Sequence, residues 1–408
     1  MKIGIVVFAY NRSQHLQDVL NGLQKNRGVS KLYIFQDGLM CERHRREWEK
    51  TQMVIRGTKW CKVIYHQAPQ NKGLAKSIVD GINMVFKEND AVIVLEDDCV
   101  PHPIFMDYMT GCLEKYRNDR RIFSVNGHSW PADVRENGAD AYFIGRISSW
   151  GWGTWKDRWE LYEQDYKIIG RIKNNPEKCR QLSIWGQDLE SMLLGNMYGK
   201  CDSWAVFWAL KCIEQGGLCP TPYYSLIDNI GFDGTGTHCG NTAIDICKRK
   251  RTDMKEFVFP ESIQFPLDYE YSYIDLFKWT PPEVKLNCYN KILLQWNQLL
   301  QKRINIAHYF EWKNIKRIAI WGSGNLCKML IKEGNGSVEI KYVIESKPSC
   351  SQFEHIPVIS PDKVTDEVEA IVIIPVYDID RIKQKMAKDI TLIGLDEMLK
   401  SFSREDDL

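Results

Sequence analysis

The chain has 408 residues, of which 44% are hydrophobic and 26% charged, and its formal net charge is +1. That length and balance predict two or three ordinary globular domains. The near-zero charge excludes a whole-chain field that would draw in nucleic acid or an anionic membrane. The cysteines number 13 and include no CxxC pair, which argues against a zinc ribbon or a disulfide framework and predicts reduced thiols. Met1 leads almost directly into the apolar run Ile3 to Ala9, so no cleaved secretory leader is expected. No stretch approaches the roughly 18 to 20 apolar residues of a membrane span. The expected setting is cytoplasmic, with any membrane contact peripheral and at the inner face. The basic run Lys248-Arg249-Lys250-Arg251 reads either as a solvated loop or as a contact for phosphates of a membrane or an anionic acceptor.

In chain order, residues 3–9 (Ile-Gly-Ile-Val-Val-Phe-Ala) read as a strand buried on both faces. Ser13 stands at the cap position of a helix predicted over 14–25. A second strand is predicted over 31–36, ending in Asp37-Gly38, then a polar helix-like segment over 40–56 and a third strand over 60–66. Asn71-Lys72-Gly73-Leu74 leads into an amphipathic helix over 75–87, with Ile78, Ile82 and Val85 on one face. Ala91 to Leu95 is the fourth strand, and it runs straight into Glu96-Asp97-Asp98. Strand and helix alternate, so residues 1–117 predict a doubly wound, mostly parallel α/β sheet. The polar residues at the strand ends then share one crevice.

Three adjacent carboxylates at a partly buried strand end repel each other and require a cation. Hard oxygen donors favour Mg²⁺ or Mn²⁺ and leave room for phosphate oxygens. The alternative is an acidic turn that stops the strand ahead of Pro101 and Pro103. From 118 to 265 the pattern is irregular, with tryptophans gathered in 149–159 and 204–208 and a glycine-rich loop over 231–240. Residues 266–312 read as a connector carrying a helical segment over 284–310. A new α/β unit starts at Arg317-Ile318-Ala319-Ile320-Trp321, with a tight turn at Gly322-Ser323-Gly324-Asn325, a helix over 326–332, and strands over 340–344 and 370–374. It outlines one small Rossmann-like half. Cys327 stands where a full dinucleotide fingerprint has its third small residue, so a structural or docking role is favoured over nucleotide binding.

Phe8-Ala9-Tyr10-Asn11-Arg12, Gln36-Asp37-Gly38, Asn71-Lys72-Gly73 and Leu95-Glu96-Asp97-Asp98 together resemble the nucleotide-sugar half of a GT-A-fold glycosyltransferase. Their order and spacing are similar to glycosyltransferase family 2. The acidic triplet, followed by Cys99-Val100-Pro101 and Phe105-Met106-Asp107-Tyr108, resembles the N-acetylglucosaminyltransferases of eukaryotic N-glycan and O-mannosyl glycan assembly. The tryptophans of 150–159, Gln187-Asp188 and Gly236-Thr237-His238 fall in the order of that group's acceptor-side landmarks. The resemblance covers residues 1 to about 245 and lies in the combination, not in any one motif.

The resemblance implies a metal-dependent, inverting transferase that takes a nucleotide-sugar donor, UDP-linked, and a glycan or lipid-linked acceptor in bacterial surface polysaccharide or glycoconjugate assembly. It implies Asp98 as the ligand of Mn²⁺ or Mg²⁺, with His238 completing the metal shell or touching the diphosphate. Tyr10, Arg12, Asp37, Lys72, Glu96 and Asp97 would contact the donor; a forked guanidinium such as Arg12 suits phosphate. Asp188 would take the acceptor proton as general base, although the relatives' acidic pair is here Gln187-Asp188. A helix-capping Asp188 is the alternative. Trp150 and Trp152 would stack on donor or acceptor sugar, with at least one of the nearby tryptophans in the core. Two other functions share parts of this pattern: a nucleotidyltransferase, and a catalytically silent nucleotide-sugar binder or scaffold. The expected domains are a GT-A unit over 1–265 (nucleotide-sugar half 1–117, acceptor half 118–265), the connector 266–312, and a Rossmann-like unit over 313–408.

Overall fold

The computed structural model describes residues 1–132, 134, 138–232, 256–265, 269–277, 282–334, 336–345, 348, 350–379, 382–383, 386 and 390–402. The chain forms two units, Met1–Trp279 and Thr280–Leu408, and each is built on a six-stranded sheet.

In the first unit β1 (Ile3–Ala9), β2 (Lys31–Gln36), β3 (Lys62–Gln67) and β4 (Ala91–Glu96) are parallel. Helices Ser13–Gln24, Arg45–Gly57 and Leu74–Val85 link them. Shorter strands follow: β5 (Cys99–Pro101), β6 (Val125–Asn126), β7 (Ala141–Ile144), β8 (Trp152–Trp155), β9 (Cys219–Pro222) and β10 (Ile227–Asn229). The main sheet has the order β3-β2-β1-β4-β8-β6, and β8 runs antiparallel to both β4 and β6. Alternate residues of β1 feed opposite cores: Ile5, Val7 and Ala9 join one cluster, Val6 and Phe8 the other. The sheet is therefore covered on both faces, as its unbroken apolar strands require. Helix Leu74–Val85 sits so close that a Cβ at Gly81 would come 2.6 Å from the Phe8 ring.

Strand β1 is followed by β2 on one side, while β4 lies on its other side. The winding reverses between β1 and β4, and their carboxyl ends open a crevice there. Ser13 does not cap the first helix: Arg12 holds the N-cap position without a side-chain cap bond. The Ser13 hydroxyl donates instead to Glu47 at 3.2 Å.

The second unit contains β11 (Arg317–Trp321), β12 (Glu339–Ile344), β13 (Gln352–Phe353), β14 (Ile356–Ile359), β15 (Ala370–Ile373) and β16 (Thr391–Gly394). Their order is β13-β14-β12-β11-β15-β16, parallel except for β13. This is a fuller sheet than the single half expected: β13 (QF), β14 (IPVI) and β16 (TLIG) are interrupted by polar, proline or glycine residues and do not stand out as apolar runs, as β15 (AIVI) does. The division between the two units falls inside 266–312, the stretch expected as a connector. Helix Glu270–Phe277 belongs to the first unit, where Tyr273 shares a 2.6 Å hydrogen bond with Tyr142 and packs against Trp185. Helix Pro282–Gln301 belongs to the second, where Trp296 is fully buried and donates Nε1–H to Glu333 at 2.7 Å. Each of the two helices joins the core of its own unit. Among the described residues no helix is long and apolar enough to cross a membrane.

Candidate active site at the carboxyl edge of the first sheet

The end of β4 delivers Glu96, Asp97 and Asp98, and the end of β1 delivers Tyr10 and Arg12. The two sets meet at the switch point. The Arg12 guanidinium pairs with Asp97 through Nη2 and lies 2.9 Å from Asp98 Oδ2 through Nη1. The Tyr10 amide points at Asp97 Oδ2 over 3.4 Å. Asp97 and Asp98 are both buried. One guanidinium thus faces three carboxyl groups. Burial, with Asp98 and Asp97 alongside, pushes the Glu96 carboxyl up to about 8, and Arg12 acts against that rise. Burial also raises Asp97, opposed by Arg12. Arg12 is held more firmly protonated because the attraction of Asp97 and Asp98 outweighs its burial.

These residues fit a cation and a phosphate on two counts. The buried Arg12 Nη1 is in an ion pair but makes no directed hydrogen bond, so it has a donor to offer an anion. Gly231 lies against the triplet, and a Cβ there would clash with Asp98 Oδ2. Antiparallel pairing of β10 with β5 and a 2.9 Å bond from the Ile230 amide to the Asp98 carbonyl bring Gly231 to that position. Among the described residues no three His, Cys, Asp or Glu side chains converge on one point. The donor set suits a hard cation that takes most of its ligands from phosphate and water, and does not make a closed protein cage.

Asp37, at the end of β2, accepts hydrogen bonds from the backbone amides of Gly38, Lys72 and Gly73 at 2.8–3.1 Å. It fixes the loop that precedes helix Leu74–Val85. Asp202, distant in sequence, accepts from the Ala75 amide at 3.1 Å and caps the same helix. The Lys72 ammonium lies 2.8 Å from Asp80, on the helix it precedes. The Tyr10 hydroxyl is shared between His44 Nδ1 at 2.9 Å and the Met40 amide at 3.0 Å.

The aromatic residues divide sharply. Trp152 is fully buried and stacks on Trp204 at 4.8 Å, so a sugar has no access to it. Its strand, β8, is an interior strand of the sheet and is covered on both faces. Trp150 is only half-buried. Its ring meets Phe232 at 5.7 Å and His128 at 4.5 Å, and Trp130 lies 6.4 Å away.

Asp188 precedes helix Leu189–Met197 but makes no side-chain cap bond. Both of its oxygens accept from the Arg146 guanidinium, at 3.0 and 2.9 Å. Arg146 is buried, donates as well to the Trp185 carbonyl at 2.9 Å, and lies 4.7 Å over the Phe277 ring. Phe277 in turn meets Trp130 edge-on at 5.3 Å. A line of contacts therefore joins the triplet to Asp188, through Gly231, Phe232, Trp150, Trp130, Phe277 and Arg146. Arg146 carried no sequence signal, since it acts through a partner far along the chain, and Gly231 and Phe232 were marked only as the start of a glycine-rich loop. His238 and the basic run 248–251 lie outside the described residues.

No protein-family profile matches this chain, and no curated protein does. Among solved structures it is similar to residues 1–349 of S. aureus TarS, at 11% identity over 54% of this chain and 58% of that one, with a TM-score of 0.33. A longer TarS structure matches at 11% identity over 54% of this chain and 35% of that one, with a TM-score of 0.28. The mannosyltransferase PcManGT from Pyrobaculum calidifontis, in complex with GDP-Man and Mn²⁺, matches at 6% identity over 53% of this chain and 69% of that one, with a TM-score of 0.31. At such TM-scores these likenesses carry no argument, and the reading below rests on the geometry and the sequence motifs.

Proposed function

We propose that the first unit is a GT-A-type, metal-dependent, inverting glycosyltransferase with a UDP-sugar donor and a glycan or lipid-linked acceptor. The observation that carries the proposal is the meeting of Arg12 with Asp97 and Asp98 at the β1/β4 switch point. An acidic metal-and-diphosphate site belongs at that place in an open α/β sheet.

In this reading Asp98 would hold Mn²⁺ or Mg²⁺, with His238 completing the shell. The ion, when bound, neutralises charge on the departing nucleoside diphosphate. Arg12 pairs with Asp97 and Asp98, opposes the rise that burial gives Asp97, and offers Nη1 to a phosphate oxygen. Glu96 and Asp97 contact ribose or sugar hydroxyls. Asp37 holds the loop with Lys72 against the nucleotide end of the crevice. Trp150 gives the sugar a flat apolar face.

Asp188 is the proposed base. The Arg146 fork orients it and still leaves each carboxylate oxygen a lone pair for the acceptor hydroxyl. The assignment to bacterial polysaccharide or glycoconjugate assembly, at the inner face of the membrane, rests on the sequence resemblance. The test is UDP release and sugar transfer by wild type and Asp188→Asn. Donor binding kept with transfer abolished supports the base. Unchanged transfer removes Asp188 from that role.

A further inference from the structure

Helix Pro282–Gln301 has two faces. Ile292, Trp296 and Leu299 are buried in the core of the second unit. Another face carries Leu286, Asn290, Leu293, Asn297 and Leu300, all exposed. These five positions follow one another at steps of four, three, four and three, which is the heptad seam of a coiled coil. Leucine occupies every d position, and asparagine occupies the two a positions between them. Leu294, also exposed, flanks the seam at an e position. Leu293, Leu294 and Leu300 line a groove of about 510 Å³ with Asn290, Asn297 and Met329, the last from the neighbouring helix Asn325–Gly334.

We propose that this seam is a homodimer interface, in which helix Pro282–Gln301 of one protomer pairs in parallel and in register with the same helix of a second copy. Self-complementarity identifies the occupant. In a parallel pair each d leucine meets its own counterpart, and each asparagine meets its own counterpart. An amide offers both a donor and an acceptor, so two asparagines related by a twofold axis satisfy each other. An antiparallel pair sets asparagine against leucine and leaves buried amides without partners, which is costly. A lipid surface or an apolar peptide would meet the same penalty at Asn290 and Asn297.

A seam of two heptads is short for isolated peptides, because they must also form their helices. Here the helix is already held by Trp296 and its neighbours, so pairing needs only to bury the seam. The helix spans about 30 Å, enough for all five positions to engage. The inference concerns the second unit alone and does not depend on the proposed activity of the first.

The test is the mass of the full chain in solution, by light scattering after size exclusion. Wild type is expected at twice 47.6 kDa, and Leu293→Asp/Leu300→Asp at the single-chain mass. A wild type that is monomeric at tens of micromolar overturns the proposal, as does a dimer that survives the double substitution. Both leucines are exposed on the single chain, so the variant is expected to keep the wild-type far-UV circular dichroism and to lose only the thermal stabilisation that association adds. Leu286→Lys/Leu293→Lys serves as a second disrupting pair and is expected to give the same loss. Orientation is read from Leu286→Cys under mild oxidation. A disulfide-linked dimer, absent from wild type, is expected for the parallel arrangement. A dimer in solution that gives no such cross-link contradicts it.

Discussion

The two units wind their sheets alike and finish them differently. Strands β3-β2-β1-β4 of the first unit and β14-β12-β11-β15 of the second follow the same order, so each has a switch point beside its first strand. At the first, β1 and β4 end in Arg12, Glu96, Asp97 and Asp98. At the second, β11 ends in Gly322-Ser323-Gly324, with Gly322 and Gly324 at φ 98° and 125°. The Ser323 hydroxyl there bonds to Glu345 at the end of β12. Winding supplies the crevice, and the strand-end residues decide what it can hold. The first crevice has a carboxylate excess and a buried guanidinium paired with two of the acids. At the second, Glu345 is engaged by the Ser323 hydroxyl.

The largest effect that separates the two ends is expected from Arg12→Met. Removing the guanidinium leaves buried carboxylates uncompensated, at a cost of about 3 kcal/mol. Urea unfolding of the first unit measures it, and a loss below about 1 kcal/mol would mean the pair is not buried in solution. Next comes Asp98→Asn, which keeps the shape and removes the carboxylate that faces Arg12 Nη1. It is expected to cost about 100-fold in transfer with unfolding little changed. Wild-type turnover by this variant would place the chemistry elsewhere.

A test by condition, not by substitution, is pH dependence in chelator. Glu96 and Asp97 are raised in the folded state, so between their unfolded values and the raised ones the native state binds the extra proton. Stability is then greatest below about pH 4.5 as far as these groups contribute, and it falls as pH rises toward about 8. The slope is at most about 1.4 kcal/mol per pH unit per group. Thermal melts of wild type and Glu96→Gln check the sign, since the substitution should flatten the fall. The smallest effect is expected at the second switch point. Ser323→Ala loses one exposed hydrogen bond, under about 1 kcal/mol, and leaves transfer unchanged. A large loss of transfer there would erase the contrast between the crevices.

Much of the first sheet was legible in the sequence because its strands are buried on both faces. Residues 91–95 have no polar interruption and end abruptly in acids, which marks both the strand and its functional end. The pairing of those acids with Arg12 was not legible, because 85 residues separate Arg12 from Asp97 and only the β1/β4 register brings them together. The same holds for Arg146 and Asp188. Trp152 misled for a different reason. Its setting among tryptophans and glycines gave no sign of a strand, in which Gly153 lets β8 pack closely, its Cβ position lying 2.8 Å from the Val92 carbonyl. Helix Pro282–Gln301 shows a further limit. Leu299 and Leu300 are neighbours, yet one is buried and the other exposed. Apolar content alone does not tell which face a core will take.

The central claim is that the β1/β4 crevice binds a nucleotide sugar together with a divalent cation. It is tested most directly by following the unfolding transition of the first unit in a panel of nucleotide sugars with and without Mn²⁺. A donor that binds the folded state at a hundredfold excess over its Kd is expected to raise that transition by roughly 5 °C. The shift should require Mn²⁺ and be lost in Asp98→Asn. No shift with any nucleotide sugar at millimolar concentration, with or without Mn²⁺, would contradict the account.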